Sequence, residues 1–325
     1  MGSGMDVANP QTGAGSAQTA TTTPLESSAR LTPVTIFLIF TIVATLIAFF
    51  GVLKLYAGES IMVWAWKHWL PNLNQEYGKL VIPISVGLVW YHWKKIKRSK
   101  KSGSSWGMLF VGGGTALVLL GIRAVEPRIV MLSIPPLIFG IVLFLWGREV
   151  ARILAFPIGF LWFMIPVGAL QQTSFRLQFL ITGAMQTLSP MIGVKLNVIG
   201  TTLNEVTGAW GFDIAEGCSG IRSLVAIIML TAIYAHIFEK IWWKKIVLVA
   251  FSLGFAVIAN IGRIFTIILI AKMGYPTLAG GIYHEYSGFI SFPVALLAML
   301  LFHKLLNLRS PGNSLLGKPE EALVK

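Results

Sequence analysis

Charge is scarce in this chain. Only 12% of its 325 residues are Asp, Glu, Lys or Arg, while 55% are hydrophobic. A soluble domain carries about a quarter charged residues, so a conventional water-soluble globule is excluded. Cysteine is nearly absent: Cys218 stands alone, which excludes an internal disulfide framework. Acidic residues are also few, 13 against 26 basic ones. The resulting charge of +13 does not point to nucleic acid, because the cations fall in short segments between apolar runs. That is the distribution of the positive-inside rule. Phosphate loops, metal-ligand spacings and His-Glu-x-x-His are missing as well. No metal or other cofactor is expected.

What the chain has in abundance is long apolar sequence. About 20 such residues cross a bilayer as a helix, and the runs predict an all-α polytopic membrane protein with about eight transmembrane helices. They fall near 33–55, 79–93, 108–125, 129–146, 153–170, 219–238, 246–271 and 287–306. The first run is long and lacks a small-residue cleavage site, so it is expected to remain as a helix. Residues 1–30, rich in Gly, Ser, Thr and Ala, are expected to be a disordered segment. Residues 31–308 form the single transmembrane domain of this reading, and 309–325 a cytoplasmic tail. The opening Met1-Gly-Ser-Gly-Met5 reads as an added leader.

Basic residues set the expected orientation. With both termini inside, the inner face receives Arg30, Lys94, Lys95, Lys97, Arg98, Lys100, Lys101, Arg148, Arg152, Lys240, Lys244, Lys245, Lys304, Arg309, Lys318 and Lys325, or 16 of 26. The opposite orientation would put the dense 94–101 cluster outside, so N-in/C-in is preferred. Among the outer loops, 57–78 carries Trp64, Trp66 and Trp69, which suits an interfacial aromatic belt. Residues 172–189 read as an amphipathic helix on the outer surface, with Leu177, Leu180, Ile181, Ala184, Met185 and Leu188 on its apolar stripe and Gln178, Thr182 and Gln186 elsewhere. The runs 195–199 and 211–214 suggest a short β-hairpin capping a site.

Three places combine reactive side chains with membrane depth. Cys218 sits in Glu216-Gly-Cys-Ser-Gly-Ile-Arg-Ser-Leu224, at the outer start of the sixth span. A helix N-terminus lowers a thiol pKa, and Arg222, four residues on, would favour the thiolate further. Ser219 and Gly220 permit close backbone approach, and first-turn N–H groups can bind an oxyanion. Arg263 lies about 12 Å below the outer end of the seventh span at 1.5 Å per residue, with Asn260 three residues before it on the same face. His284 stands just outside the eighth span in Tyr283-His-Glu-Tyr-Ser-Gly288. It can shuttle protons near neutral pH. Each has a bland alternative. A lone cysteine often serves as a small buried hydrophobe, a membrane arginine can snorkel or pair with Glu216, and a single histidine is commonly interfacial. Together they suggest a thiolate attacking an amide, with Arg263 on the oxyanion and His284 as acid and base.

Taken in order, Ala215-Glu-Gly-Cys-Ser-Gly-Ile-Arg-Ser-Leu224, Asn260-x-x-Arg263 and His284-x-x-x-Gly288 resemble the exosortase/archaeosortase family, in its bacterial form. Leu161-Trp-Phe-Met-Ile-Pro166 and Arg176-Leu-Gln178 extend the likeness upstream. The resemblance implies a cysteine protease or transpeptidase of the bacterial cytoplasmic membrane whose active site faces the exterior. Its partners would be the lipid bilayer and exported proteins that end in a motif such as Pro-Glu-Pro, a transmembrane helix and a basic cluster. Hydrolysis, or transfer to a cell-surface acceptor, would follow. Cys218 would be the nucleophile, with Arg263 and His284 completing the triad and Asn260, Arg222, Glu216, Ser219 and Gly220 in support. Where many exosortases carry Tyr-Ser-His-Gly before the second span, this chain reads Glu76-Tyr-Gly-Lys79, which leaves the recognised motif open. Two competing readings are a transporter or channel with Arg263 and Arg222 lining a polar path, and a membrane acyltransferase carrying lipid on Cys218.

Overall fold

Apolar runs in a membrane must satisfy their backbone hydrogen bonds internally, and in the computed structural model they do so as helices. It describes residues 43, 47–52, 54–56, 58–70, 75–166, 169–214 and 221–308. The protein is mostly helical, at 78%. It divides into two units, Met1–Ala48 and Phe49–Lys325. Most of the expected first span, and the segments 1–30 and 309–325, lie outside the described residues.

Near the start of the second unit, after a π-helical turn at Ala48–Val52, is a strand pair, β1 (Lys54–Tyr56) against β2 (Glu59–Ser60), reversing at Gly58 with φ +75°. Residues 54 and 55 are therefore strand rather than the end of a transmembrane helix. Helix α1 (Ile61–His68) follows, its first turn capped by Ser60, whose hydroxyl accepts from the Val63 N–H at 3.3 Å. The tryptophans do not form the expected belt. Trp64 and Trp69 are 5% and 4% exposed, and only Trp66 faces outward. The reason is local. Trp69 donates Nε1–H to the Met164 carbonyl at 2.9 Å and fills the space left by the absent side chain of Gly78. Trp64 packs on His68 and under the Arg128 guanidinium.

Next come α2 (Gly78–Tyr91), α3 (Trp93–Arg98), α4 (Trp106–Arg123), α5 (Pro127–Leu132) and α6 (Ile134–Phe160). Helix α6 is broken at Gly147, whose φ of +86° lies in the left-handed region. Trp162 Nε1 donates to the Leu132 carbonyl at 3.3 Å, and Arg128 Nε to that of Pro166 at 2.9 Å. Thirty residues of straight helix would separate Leu132 from Trp162 by about 45 Å. The chain has therefore turned back on itself at Gly147, and 127–146 and 148–164 are antiparallel legs. A Cβ at Gly147 would collide with the Ser102 carbonyl. Helix α4 packs along the first leg: a Cβ on Gly107 would strike Gly140, one on Gly114 Leu137, and one on Gly121 Val130. Small residues two turns apart let these backbones approach closely, as is common between membrane helices.

After α7 (Ala169–Leu188) comes a three-stranded antiparallel sheet of β3 (Leu196–Ile199), β4 (Thr202–Glu205) and β5 (Gly211–Asp213), in that order. The expected hairpin joined the two outer strands. The true hairpin is β3–β4, turning at Gly200-Thr201 with Gly200 at φ +63°, and the third strand adds to β4. The alternation of β4 was hidden by its polar residues Thr202, Asn204 and Glu205. Helix α7 also differs in register. Ile181 and Met185 are buried as expected, but Ser174, Gln178 and Thr182 share that buried face while Leu180 is half exposed.

Helices α8 (Ile221–Phe238), α9 (Trp242–Lys272) and α10 (Gly288–Leu308) complete the fold. Among the described residues, five stretches are long and apolar enough to cross a membrane: Trp106–Arg123, Pro127–Met164, Ile221–Phe238, Trp242–Lys272 and Gly288–Leu308. Gly78–Tyr91 is apolar but shorter. Exposed Val86, Leu109, Ile258 and Leu301 lie on these helices, as lipid-facing surfaces require. The protein is a multi-pass membrane protein.

Candidate active site

Hydrogen bonds sort the second unit into two ends. His92 Nε2 lies 2.9 Å from His236 Nε2, the Lys100 N–H donates to Glu149, and His303 Nε2 lies 3.2 Å from Glu239. These contacts gather Lys94–Lys101, the Gly147 turn and Lys240–Lys245 at one end. The opposite end holds the β3–β5 sheet, the start of α8, the end of α9 and the segment 276–287. The Lys272 ammonium donates there to the Ile192 carbonyl, and Arg222 Nη2 lies 3.6 Å from Glu76 Oε1.

At this second end α9 and the segment leading into α10 bring two predicted residues together. Arg263 Nη2 donates to the His284 carbonyl at 2.9 Å, and its Nε donates to Ser287 Oγ at 2.7 Å. The Ser287 hydroxyl in turn donates to the same His284 carbonyl at 2.9 Å. One turn further along α9, Tyr283 donates its hydroxyl proton to Thr266 Oγ1 at 2.8 Å, and Thr266 donates to the Arg263 carbonyl at 2.7 Å. Residues 283–287 are thus stitched to α9 at two levels, and the guanidinium is half-buried with its fork fixed. A guanidinium at this depth needs such partners.

His284 lines a small apolar cavity with Leu203, Phe212, Asp213, Ile214, Ile264, Ile267 and Ile268. The sheet forms its roof, with Leu203 and Ile214 buried at 1% and 2% exposure against α9. Burial, then the Arg263 charge, push the His284 imidazole below its ordinary value, with Glu285 opposing. At neutral pH the ring is therefore neutral and able to accept a proton.

Among the supporting residues, Asn260 is buried at 5% exposure on α9. Arg222 shares its charge with Glu76, the first residue of the Glu76-Tyr-Gly-Lys79 stretch. Both side chains are about half exposed, at 50% and 41%, so the pair itself adds little stability. Cys218, Glu216, Ser219 and Gly220 lie outside the described residues. Sequence reasoning missed Ser287 and Thr266, which anchor Arg263 and Tyr283. The signal was present for Ser287, because it stands three residues after His284, on the same face of a helical turn.

An arginine and a histidine clamped under a sheet, inside a bundle of membrane helices, define a membrane protein with a half-buried polar centre near one end. Residues 65–301 match the family model described as transmembrane exosortase, and with well over half of its length matched the chain belongs to that family. Membership supports, in general terms, a membrane-embedded sorting transpeptidase. No curated protein and no solved structure matches the chain.

Proposed function

We propose that this chain cleaves C-terminal sorting signals of exported proteins at the outer face of the cytoplasmic membrane, with Cys218 as nucleophile, Arg263 on the oxyanion and His284 as acid and base. The observation that carries the proposal is the Arg263–His284–Ser287 cluster beside a cavity whose wall includes Ile214. Cys218 follows Ile214 by four residues, so chain length alone keeps their Cα atoms within about 14 Å. It also precedes the first residue of α8 by three.

In the proposed cycle the neutral His284 imidazole takes the Cys218 proton. The thiolate attacks the scissile carbonyl carbon, a C–S bond forms, and the oxygen becomes an oxyanion held by Arg263. Collapse breaks the C–N bond as the His284 imidazolium gives its proton to the leaving amine. Water, or the nucleophile of a cell-surface acceptor, then loses a proton to His284 and attacks the thioester. The carboxyl end is released or transferred, and the thiol returns. The membrane arrangement of this reading has eight crossings with both termini inside. It is supported by the two legs meeting at Gly147 and by the basic residues gathered at the end away from His284.

The test is co-expression with an exported protein ending in a motif, an apolar helix and a basic cluster. Wild type should process it and Cys218→Ala should not; equal processing by both would reject the mechanism. A transporter would be indifferent to that change, and an acyltransferase would carry lipid, rather than peptide, on Cys218.

A further inference from the structure

A cavity lies at the basic end, remote from the candidate active site. It is about 370 Å³ and is lined by Lys95, Arg98, Ser99, Glu149, Arg152 and Ile153. Lys95 and Arg98 are three apart on α3, and Glu149 and Arg152 are three apart just after the Gly147 turn. Each pair presents one helical face to the cavity. The walls are pinned. Glu149 Oε2 accepts the Lys100 N–H at 2.6 Å, Ser102 pairs with Gly147, and the Ser99 hydroxyl donates to the Lys95 carbonyl at 2.8 Å. Three cations face one carboxylate, and one oxygen of that carboxylate already holds the loop. The cavity therefore carries an excess of positive charge that an anion would neutralise.

Its height in the bilayer identifies the anion. Trp90, Trp93 and Trp106, at 79%, 49% and 59% exposure, flank the cavity in sequence at the ends of α2, α3 and α4. Exposed tryptophans at helix ends mark the headgroup level of a membrane. Just beyond Trp106, Met108 and Leu109 are exposed at 64% and 65%, an apolar surface for acyl chains below the cations. Basic pockets between membrane helices are suited to anionic headgroups. We infer that this cavity binds the phosphate of an anionic phospholipid, with Lys95, Arg98 and Arg152 on the phosphate oxygens and the chains lying along α4. Glu149 is the one group that opposes the anion, and its role is to hold the 99–102 loop.

The test uses the full chain in detergent, titrated separately with phosphatidylglycerol, phosphatidylcholine and inorganic phosphate, with bound ligand counted by native mass spectrometry. Phosphatidylglycerol should bind preferentially. The double variant Arg98→Gln, Arg152→Gln should lose about 25-fold in affinity, about fivefold for each charge. Lys304→Gln, at the same end but outside the cavity, should stay within twofold. If the double variant fails to fold, the single Lys95→Gln on exposed α3 should still show about a fivefold loss. Equal binding of the two lipids, or no change in the cavity variants, would overturn the inference. So would inorganic phosphate displacing the lipid at matching concentration, since the site would then read phosphate alone.

Discussion

Helices α9 and α10 carry a polar cluster at each end, built from similar residues and used differently. At the basic end Tyr234 OH lies 2.8 Å from His303 Nδ1, while His303 Nε2 meets Glu239 at 3.2 Å and Asn307 at 2.8 Å. Lys244 donates to Asn307 Oδ1 at 2.7 Å, and Glu239 Oε1 accepts the N–H groups of Lys240 and Ile241. His303, Glu239 and Lys244 are 2%, 5% and 2% exposed. Burial alone would raise the Glu239 carboxyl, but these donors and the Lys244 charge hold it below its ordinary value. The histidine is enclosed by side chains that satisfy it. At the other end the arginine is equally well held, yet the histidine it grips by the backbone lines a cavity and has its imidazole pushed toward the neutral form. Enclosure satisfies His303 on every side, whereas His284 borders a small apolar cavity.

Substitutions at four positions break or sharpen this contrast. The largest effect on turnover should come from Arg263→Lys, because an ammonium cannot reproduce the fork that spans Ser287 and His284. Processing of a sorting reporter should fall on the order of 10²–10³-fold with helical content unchanged. Glu239→Ala should do the reverse. Leaving the buried donors around it unsatisfied costs about 1–3 kcal/mol each, so thermal unfolding should come earlier while turnover per folded molecule holds. Ser287→Ala removes the acceptor of Arg263 Nε. It should lower kcat about tenfold with little change in KM, in line with about 1.5 kcal/mol for a hydrogen bond to a charged group, and Ser287→Thr should restore part of the loss. The smallest effect belongs to Glu285→Gln. His284 is held below 6.5, so activity should be retained as pH falls through that value and be lost only lower. Glu285 opposes this depression, so removing its charge should move the acid limb of the pH–rate profile further down.

The same contrast explains what was legible in the sequence. Continuous apolar runs announce themselves, so 108–125, 219–238 and 287–306 lie within two residues of Trp106–Arg123, Ile221–Phe238 and Gly288–Leu308 at each end. The Arg263 and His284 pair was legible because charge at membrane depth is costly enough to demand a reason. Short-range patterns misled where tertiary partners decide burial. Trp64 and Trp69 look interfacial until Arg128 and Met164 come to meet them. Gln178 looks solvent-facing until α7 docks with its Ile181–Met185 face on α9. The enclosed His303 cluster was invisible because its members are spread from Tyr234 to Asn307 and only the helix ends bring them together.

The central claim is that the thiol meets the imidazole. Because Cys218 is the chain's one cysteine, the substitution His284→Cys creates a single candidate pair for a short thiol-specific crosslinker, and His303→Cys provides the control at the basic end. The account predicts an intramolecular crosslink in the first protein and none in the second. No crosslink in the first, or equal crosslinking in both, would contradict it.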